Sequence, residues 1–181
     1  MDAFRYDLID FTRQIIANEG RETYYKMNAA IKAKDHETFD QQAKLFLEQM
    51  NDQEQLLSTR TGFMVGPWIE AAKKQGKNAA DKDLYEQNAR MQITIWGPLD
   101  PNTNLHEYAH KEWSGILNDL YIPRWKMFIE ANRNAIAGHM VEKPDYFSLE
   151  KKWISNRNVY PIQPQGDLLE VAKELLIKYS N

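Results

Sequence analysis

Apolar residues recur along this chain at helical intervals, and polar breaks divide it into a series of amphipathic segments. Phe4, Leu8, Phe11 and Ile15 share one stripe, and Met27 and Ile31 carry the pattern past Gly20. The spacing predicts a long helix over about residues 3–33. Gly20 is its expected weak point, since glycine costs roughly 1 kcal/mol against alanine in a helix interior. Asp35 can cap a second helix with its carboxylate, and the stripe of that helix is Phe39, Ala43, Phe46, Leu47, Met50 and Leu57. Two such helices separated by a short break predict an antiparallel hairpin.

Thr61, Gly62 and Gly66-Pro67 then punctuate the chain. A short helix is expected next, with Trp68, Ile69 and Ala72 on its buried side and an end near Gly76. Asp81 opens another through Leu84, Tyr85, Asn88 and Met91, which stops at Gly97-Pro98. The alternation Ile93-Thr94-Ile95-Trp96 resembles a strand but reads, in its helical surroundings, as a helix end. Leu99 to Asn104 is a polar loop. A further helix is expected from about Leu105 through Tyr108, Trp113, Ile116, Leu117 and Leu120. Pro123 removes a backbone donor and should kink or break it. Trp125, Phe128 and Ile129 resume the pattern to about Gly138. Two helices close the chain, one carrying Phe147, Leu149 and Trp153. The other starts at Gly166-Asp167 with Leu168, Val171, Ala172, Leu175 and Tyr179 as its stripe. The expected fold is all-α: an irregular bundle of about seven or eight helices, beginning with a long antiparallel hairpin, in a single domain over residues 1–181.

Composition narrows the function. With 43% hydrophobic and 27% charged residues in 181, the chain can fold around a core of its own. The absence of cysteine excludes disulfides and thiolate metal sites. A net charge of -3 gives no basic excess for nucleic acid. No apolar run approaches the ~20 residues that cross a bilayer. Neither a nucleic-acid nor a membrane partner is therefore expected. The opening stretch, MDAFRYDLIDFTRQ, has acids where a signal peptide needs basic residues, so any export signal would precede it.

Candidate chemistry is sparse. His106, Glu107 and His110 spell H-E-x-x-H, which on one helix face could bind zinc and activate water. No third ligand presents itself, and the competing reading is a set of polar residues at a helix start; no metal is assigned. The 26 acidic residues offer no pair singled out for glycoside hydrolysis. There is no G-x-S-x-G and no phosphate-binding glycine loop, so no catalytic residue and no cofactor is assigned to the chain. Among five Trp and nine Tyr, most of which should be core, Trp96 differs. It stands beside Gly97-Pro98 at the edge of a polar loop, where an indole can face a pocket mouth and stack on a sugar ring. Tyr108, beyond the loop, could add a hydroxyl on the same side.

The stretches DLYEQNARMQITIWGP (Asp83 to Pro98) and EYAHKEWSGILNDLYIPRW (Glu107 to Trp125) resemble the C-terminal helical domain of alpha-N-acetylglucosaminidases. The likeness extends upstream to Asp7-Leu8-Ile9-Asp10, Arg13-Gln14 and Ala17-Asn18. Downstream it reaches Tyr160-Pro161 and Pro164-Gln165-Gly166-Asp167, so it covers nearly the whole chain. The loop between Pro98 and Leu105 is longer than the family pattern, and Glu107 and His110 stand where aspartate and asparagine are usual.

The resemblance implies a part of a larger, exo-acting enzyme that removes terminal alpha-linked N-acetylglucosamine from glycans. In that family a (β/α)8 barrel carries both catalytic carboxylates, so this chain alone should be inactive. The helical domain packs on the barrel and helps wall the sugar pocket, and the matching positions are Trp96, Leu105 and Tyr108. Arg90 is expected to organise a helix end by pairing with a carboxylate or carbonyl. The implied partners are the barrel of the same protein and the terminal N-acetylglucosamine. An isolated fragment would expose its docking face, which could support a homodimer. The implied location is export: periplasmic or extracellular in bacteria, lysosomal in animal relatives. The alternative is a free-standing helical interaction module without a catalytic role.

Overall fold

The computed structural model describes residues 2–106 and 109–179. Its α-helices are α1 (Asp2–Ala33), α2 (His36–Ser58), α3 (Val65–Lys73), α4 (Ala79–Gln92), α5 (Ile122–Ile136), α6 (Tyr146–Ser155) and α7 (Leu168–Tyr179). A 3-10 turn, Thr61–Phe63, precedes α3, and a π-helical turn, Leu117–Tyr121, runs directly into α5. The described residues are all-α; their one β-type pairing is an isolated bridge between Met64 and Ser114.

The expected hairpin is present: α1 and α2 pack along their lengths. Asp35 caps α2 by accepting from the Thr38 amide at 3.1 Å. Gly20 does not interrupt α1; it lies buried where α1 meets Phe46 and Gln49 of α2. The buried face of α1 agrees with the expected stripe only in part: Met27 is buried, and Leu8 and Ile31 pack against the core. Ile9, Thr12, Ile16, Gly20, Thr23, Met27 and Ala30 point inward, whereas Phe4 and Phe11 are exposed. Two threonines and a glycine disguise that face in the sequence. Their burial is tolerated because Thr12 and Thr23 donate to the carbonyls of Leu8 and Glu19.

Gly66-Pro67 falls within the first turn of α3, not before it. Proline is accommodated there because first-turn amides have no intrahelical acceptor. Asn78, not Asp81, caps α4: its side chain accepts from the Asp81 amide at 2.9 Å, and Asp81 accepts in return from Lys77 N at 3.1 Å. The inward residues of α4 are Glu86, Ala89 and Arg90, while Leu84 and Tyr85 face outward. In α6 the inward set is Glu150, Trp153 and Ile154.

The largest departure lies between α4 and α5. The helix expected to run to Gly97-Pro98 ends at Gln92, and Ile93-Thr94-Ile95 continues as buried, non-helical chain. The helix expected from Leu105 is absent from the described part of that stretch and begins only at Ile116. His110 and Gly115 have φ of 46° and 92°, in the left-handed region that ends a right-handed helix. Tertiary pairing takes over instead: Val65 N donates to Ser114 O at 3.0 Å and Ser114 N to Phe63 O at 2.8 Å. Pro123 broadens its helix without breaking it. Ile122 N reaches back five residues to Leu117 O, and Pro123 follows in the first turn of α5.

The main core joins Ile9 and Ile16 of α1, Leu56 and Leu57 of α2, Ile93, Ile95, the Ile116–Tyr121 turn, Trp153 and the inner face of α7. A second cluster at the far end of the hairpin packs Met27, Ala30, Phe39 and Ala43 against Ile129 and Ile136 of α5.

Candidate functional site

Ile93 and Ile95 anchor the strand-like exit from α4 in the core, and Thr94 Oγ1 donates to Arg90 O at 2.8 Å. After these three buried residues the chain turns Trp96 outward. It is 48% exposed, more than any other tryptophan of the chain. The amide of Trp96 donates to Leu105 O at 3.2 Å, which closes the intervening loop and sets the two residues side by side. Leu105 is 42% exposed. Inside the loop, Asp100 accepts from the backbone and side-chain nitrogens of Asn102, at 2.8 and 2.9 Å, and Thr103 N bonds to Asp100 O at 3.0 Å. The chain thus presents an indole face next to an isobutyl group on a polar loop. Of the three residues expected to line a sugar site, Trp96 and Leu105 are together at this rim. Tyr108 lies outside the described residues, as does Glu107.

His106, the next residue after Leu105, turns back toward the body of the molecule. Its Nδ1 lies 3.1 Å from Glu150 Oε2, and its ring meets Phe147 edge-on at 5.2 Å. Glu150 is 1% exposed, with the Arg124 guanidinium 3.8 Å from its other oxygen. His110 instead packs beside the Tyr121 ring at 6.2 Å. The two imidazoles do not share a helix face, so the geometry that gives H-E-x-x-H its meaning is missing. Burial, reinforced by the charges of Glu150 and Glu112, pushes the Tyr121 phenol up to about 12, so it stays protonated at neutral pH.

Arg90 organises the end of α4 and ties it to α6. It is fully buried, donates to Glu86, Asn156 and the carbonyls of Trp153 and Asn158, and lies between the rings of Trp153 and Tyr160. The pairing expected of it at the helix end is therefore present. Tyr160 in turn donates to Asp119 at 2.9 Å and accepts from the Trp153 indole at 3.0 Å.

Three buried or half-buried carboxylates are not singled out by the sequence pattern: Glu54, Glu86 and Glu150. Each sits at helical spacing from apolar core residues, which is the signal that marks an inward acid. Glu54 accepts from Ser114 Oγ and Gly115 N, both at 2.7 Å, and so caps the helix that follows. Desolvation raises its pKa above the usual 4.5. Glu54 and Asp119 line one cleft of about 510 Å³, but each is occupied by donors from its own surroundings. An apolar cleft of about 390 Å³ lies between α1, α2 and the Leu117–Trp125 stretch; neither Trp96 nor Leu105 lines it.

No helix among the described residues is long and apolar enough to cross a membrane.

Comparison with known proteins gives a consistent result. A family model described as the Alpha-N-acetylglucosaminidase (NAGLU) C-terminal domain matches residues 1–178. Human alpha-N-acetylglucosaminidase is 33% identical over 184 residues, covering 98% of this chain and 24% of the human protein. A family 89 glycoside hydrolase from Clostridium perfringens, solved in complex with PUGNAc, is similar with a TM-score of 0.91 and 34% identity. The match covers 99% of this chain and 21% of that one. A further structure is of the C. perfringens protein with two glutamates changed to glutamine, in complex with its substrate GlcNAc-alpha-1,4-galactose. It matches with the same TM-score of 0.91 over 98% of this chain and 21% of that one. The chain thus spans between a fifth and a quarter of the length of these relatives.

Proposed function

The chain belongs to the alpha-N-acetylglucosaminidase C-terminal domain family, and from that premise we propose that it forms one wall of a sugar pocket whose catalytic acids lie in a separate barrel of the same full-length protein. The substrate of that full-length enzyme is a terminal alpha-linked N-acetylglucosamine on a glycan, removed by hydrolysis. Trp96 and Leu105 supply apolar contact to the sugar ring, and Tyr108 a hydroxyl. The observation that carries this reading is the outward pairing of Trp96 with Leu105 in a family whose bacterial member is described with a GlcNAc-terminated substrate. Flat apolar surface held at a loop rim suits the axial C–H face of a pyranose, and it has no evident use in the core.

The reading leaves the chain without a catalytic residue of its own. Its two most buried carboxylates, Glu86 and Glu150, are held by Arg90 and by His106. The docking face toward the barrel is assigned to the outer side of α1, where Phe4, Phe11 and Tyr25 stand exposed. Proteins of this family act outside the cytoplasm or in lysosomes, and export is part of the proposal.

The test is Trp96→Ala in the full-length hydrolase. The expected outcome is a fall in kcat/KM on an aryl alpha-N-acetylglucosaminide of about 10- to 100-fold. Stability should change by no more than about 0.5 kcal/mol, as for other exposed positions. The isolated chain should show no turnover. A variant that mainly lowers the melting temperature, or turnover by the chain alone that a point change abolishes, overturns the reading.

A further inference from the structure

We propose that Glu150 is a positioning residue for the sugar-facing rim, acting through His106 on Leu105 and Trp96. The inference rests on the pocket-wall reading only for its functional consequence; the mechanical claim stands on geometry alone.

From Ile93 to Gly115 the described chain has no helical ladder to hold it. Its outer part is fixed by a few discrete contacts. The Trp96–Leu105 backbone bond closes the loop upon itself but does not tie the closed loop to the body of the molecule. On the Trp96 side, those ties are the buried pair Ile93 and Ile95 and, within the loop, Leu99, which packs against the main core. On the Leu105 side the nearest tie is His106, whose imidazole enters a seat on α6; Ala109 packs against the core further along. Phe147 and Glu150 are three residues apart and so share a face of that helix. One meets the ring at 5.2 Å and the other meets its nitrogen at 3.1 Å. A carboxylate accepts and does not donate, so Nδ1 carries the proton in this contact.

A residue needed only for packing would not be an acid. Replacing a buried charged pair by apolar groups of similar volume is often neutral or stabilising. Glu150 is 1% exposed at the same time as its partner His106 is 31% exposed in its side chain, so the desolvated carboxylate is held toward a group at the surface. Arg124 on α5, 3.8 Å from the second oxygen, compensates the buried charge from the opposite side. What the arrangement adds is direction. A hydrogen bond of this kind fixes the imidazole in angle as well as distance, and Leu105 is its covalent neighbour. Loss of the latch should let the Leu105 end of the loop shift, beyond the Leu99 contact with the core, moving the leucine and releasing the Trp96 backbone bond.

Amide hydrogen exchange in the chain tests the latch directly. In Glu150→Ala the Trp96 amide should exchange about tenfold faster or more, because the Leu105 carbonyl no longer stays in place. The amides of Ile93 and Thr94, bonded to Arg90 O and Met91 O one turn upstream, should keep their protection. Glu150→Gln retains an acceptor for Nδ1–H and should restore most of the Trp96 protection; His106→Ala should reproduce the alanine phenotype. Unchanged Trp96 exchange, or a rise shared equally by Ile93, Thr94 and the α2 amides, overturns the proposal, the latter because it signals general loss of stability. The same variants in the full-length hydrolase then separate the two readings. With the latch shown by exchange, a raised KM at near-constant kcat supports a role at the sugar wall. An unchanged KM refutes the wall and leaves the latch standing.

Discussion

A guanidinium without contact to water sits where α4 ends, and each of its five N–H groups has an acceptor. Arg90 Nε and Nη2 reach Glu86 at 3.0 and 2.7 Å; the remaining donors reach Trp153 O, Asn156 and Asn158 O. That set ties α4 to the end of α6 and to the chain beyond it. Lysine keeps the charge but has three donors on a point, and it cannot span acceptors arranged around a planar fork. Arg90→Lys should therefore cost about 2–4 kcal/mol in urea unfolding, close to the loss from Arg90→Ala, because either change removes the paired donors on buried Glu86 and leaves it only Lys73, 3.6 Å from its other oxygen. The arginine is legible in the sequence as an organiser of the helix end. Its carboxylate partner is not, since Glu and Arg four apart most often mark a solvated face. Glu54 carries a different consequence. Burial raises its folded pKa above 4.5, so in the window above that value the unfolded chain releases this proton first. Its contribution is favourable when protonated and declines as pH rises toward the folded pKa. Glu54→Gln removes the decline. Compared with the natural chain, the variant should gain stability as pH rises above about 4.5, read from paired urea midpoints. A difference that does not change with pH would rule out desolvation of the carboxylate as the cause.

At the scale of elements, helices bounded by clear start or stop signals are legible: the two helices of the hairpin and α7 fall within a few residues of expectation. A face built from small or polar residues is not. The inner side of α1 reads Thr12, Gly20 and Thr23 among its apolar positions, so exposed Phe4 and Phe11 are drawn into the apparent core stripe. The 93–115 stretch is obscure for another reason. Its helical spacing is genuine, but left-handed φ at His110 and Gly115 and pairing to Phe63 and Val65 override it, and both are tertiary facts. Two glycines show how differently the same residue can act. A Cβ at Gly20 would stand 3.8 Å from Gln49 Oε1 and 3.9 Å from Phe46, ordinary contacts in a helical backbone. Gly20→Ala should stabilise the chain by about 0.4–1 kcal/mol by restricting the unfolded state and improving helix propensity. A Cβ at Gly115 would meet Val65 at 2.7 Å and Tyr160 at 2.8 Å from a φ of 92°. Gly115→Ala should therefore destabilise by about 1–3 kcal/mol. Thermal unfolding of the pair gives shifts of opposite sign; a rise for Gly115→Ala or a fall for Gly20→Ala would contradict the corresponding account.

For the whole molecule, the outer face of α1 becomes informative. Phe4, Phe11 and Tyr25 lie at intervals of seven or fourteen residues, so they form a line along one side of the helix, and they are 60%, 69% and 57% exposed. The hairpin already has a filled inner face, which leaves this second face unneeded for folding. Large aromatic surface in a row is costly in water and is ordinarily covered. On the proposed reading, in which the chain is one wall of a larger hydrolase, the cover is the remainder of that protein; the relatives are about four to five times the length of this chain. If that remainder is missing, the surface should seek a substitute in a second copy. The isolated chain should then associate with rising concentration, and the double substitution Phe4→Asp, Phe11→Asp should return it to a monomer by light scattering. The effect on folding should be small, within about 0.5 kcal/mol for each exposed site, because neither ring contributes to the core. In the full-length hydrolase the same two changes should loosen the domain from the barrel, seen as faster proteolysis at the junction. A natural chain that stays monomeric at high concentration would contradict the self-association. A double variant that unfolds would mean that these rings pack inward after all.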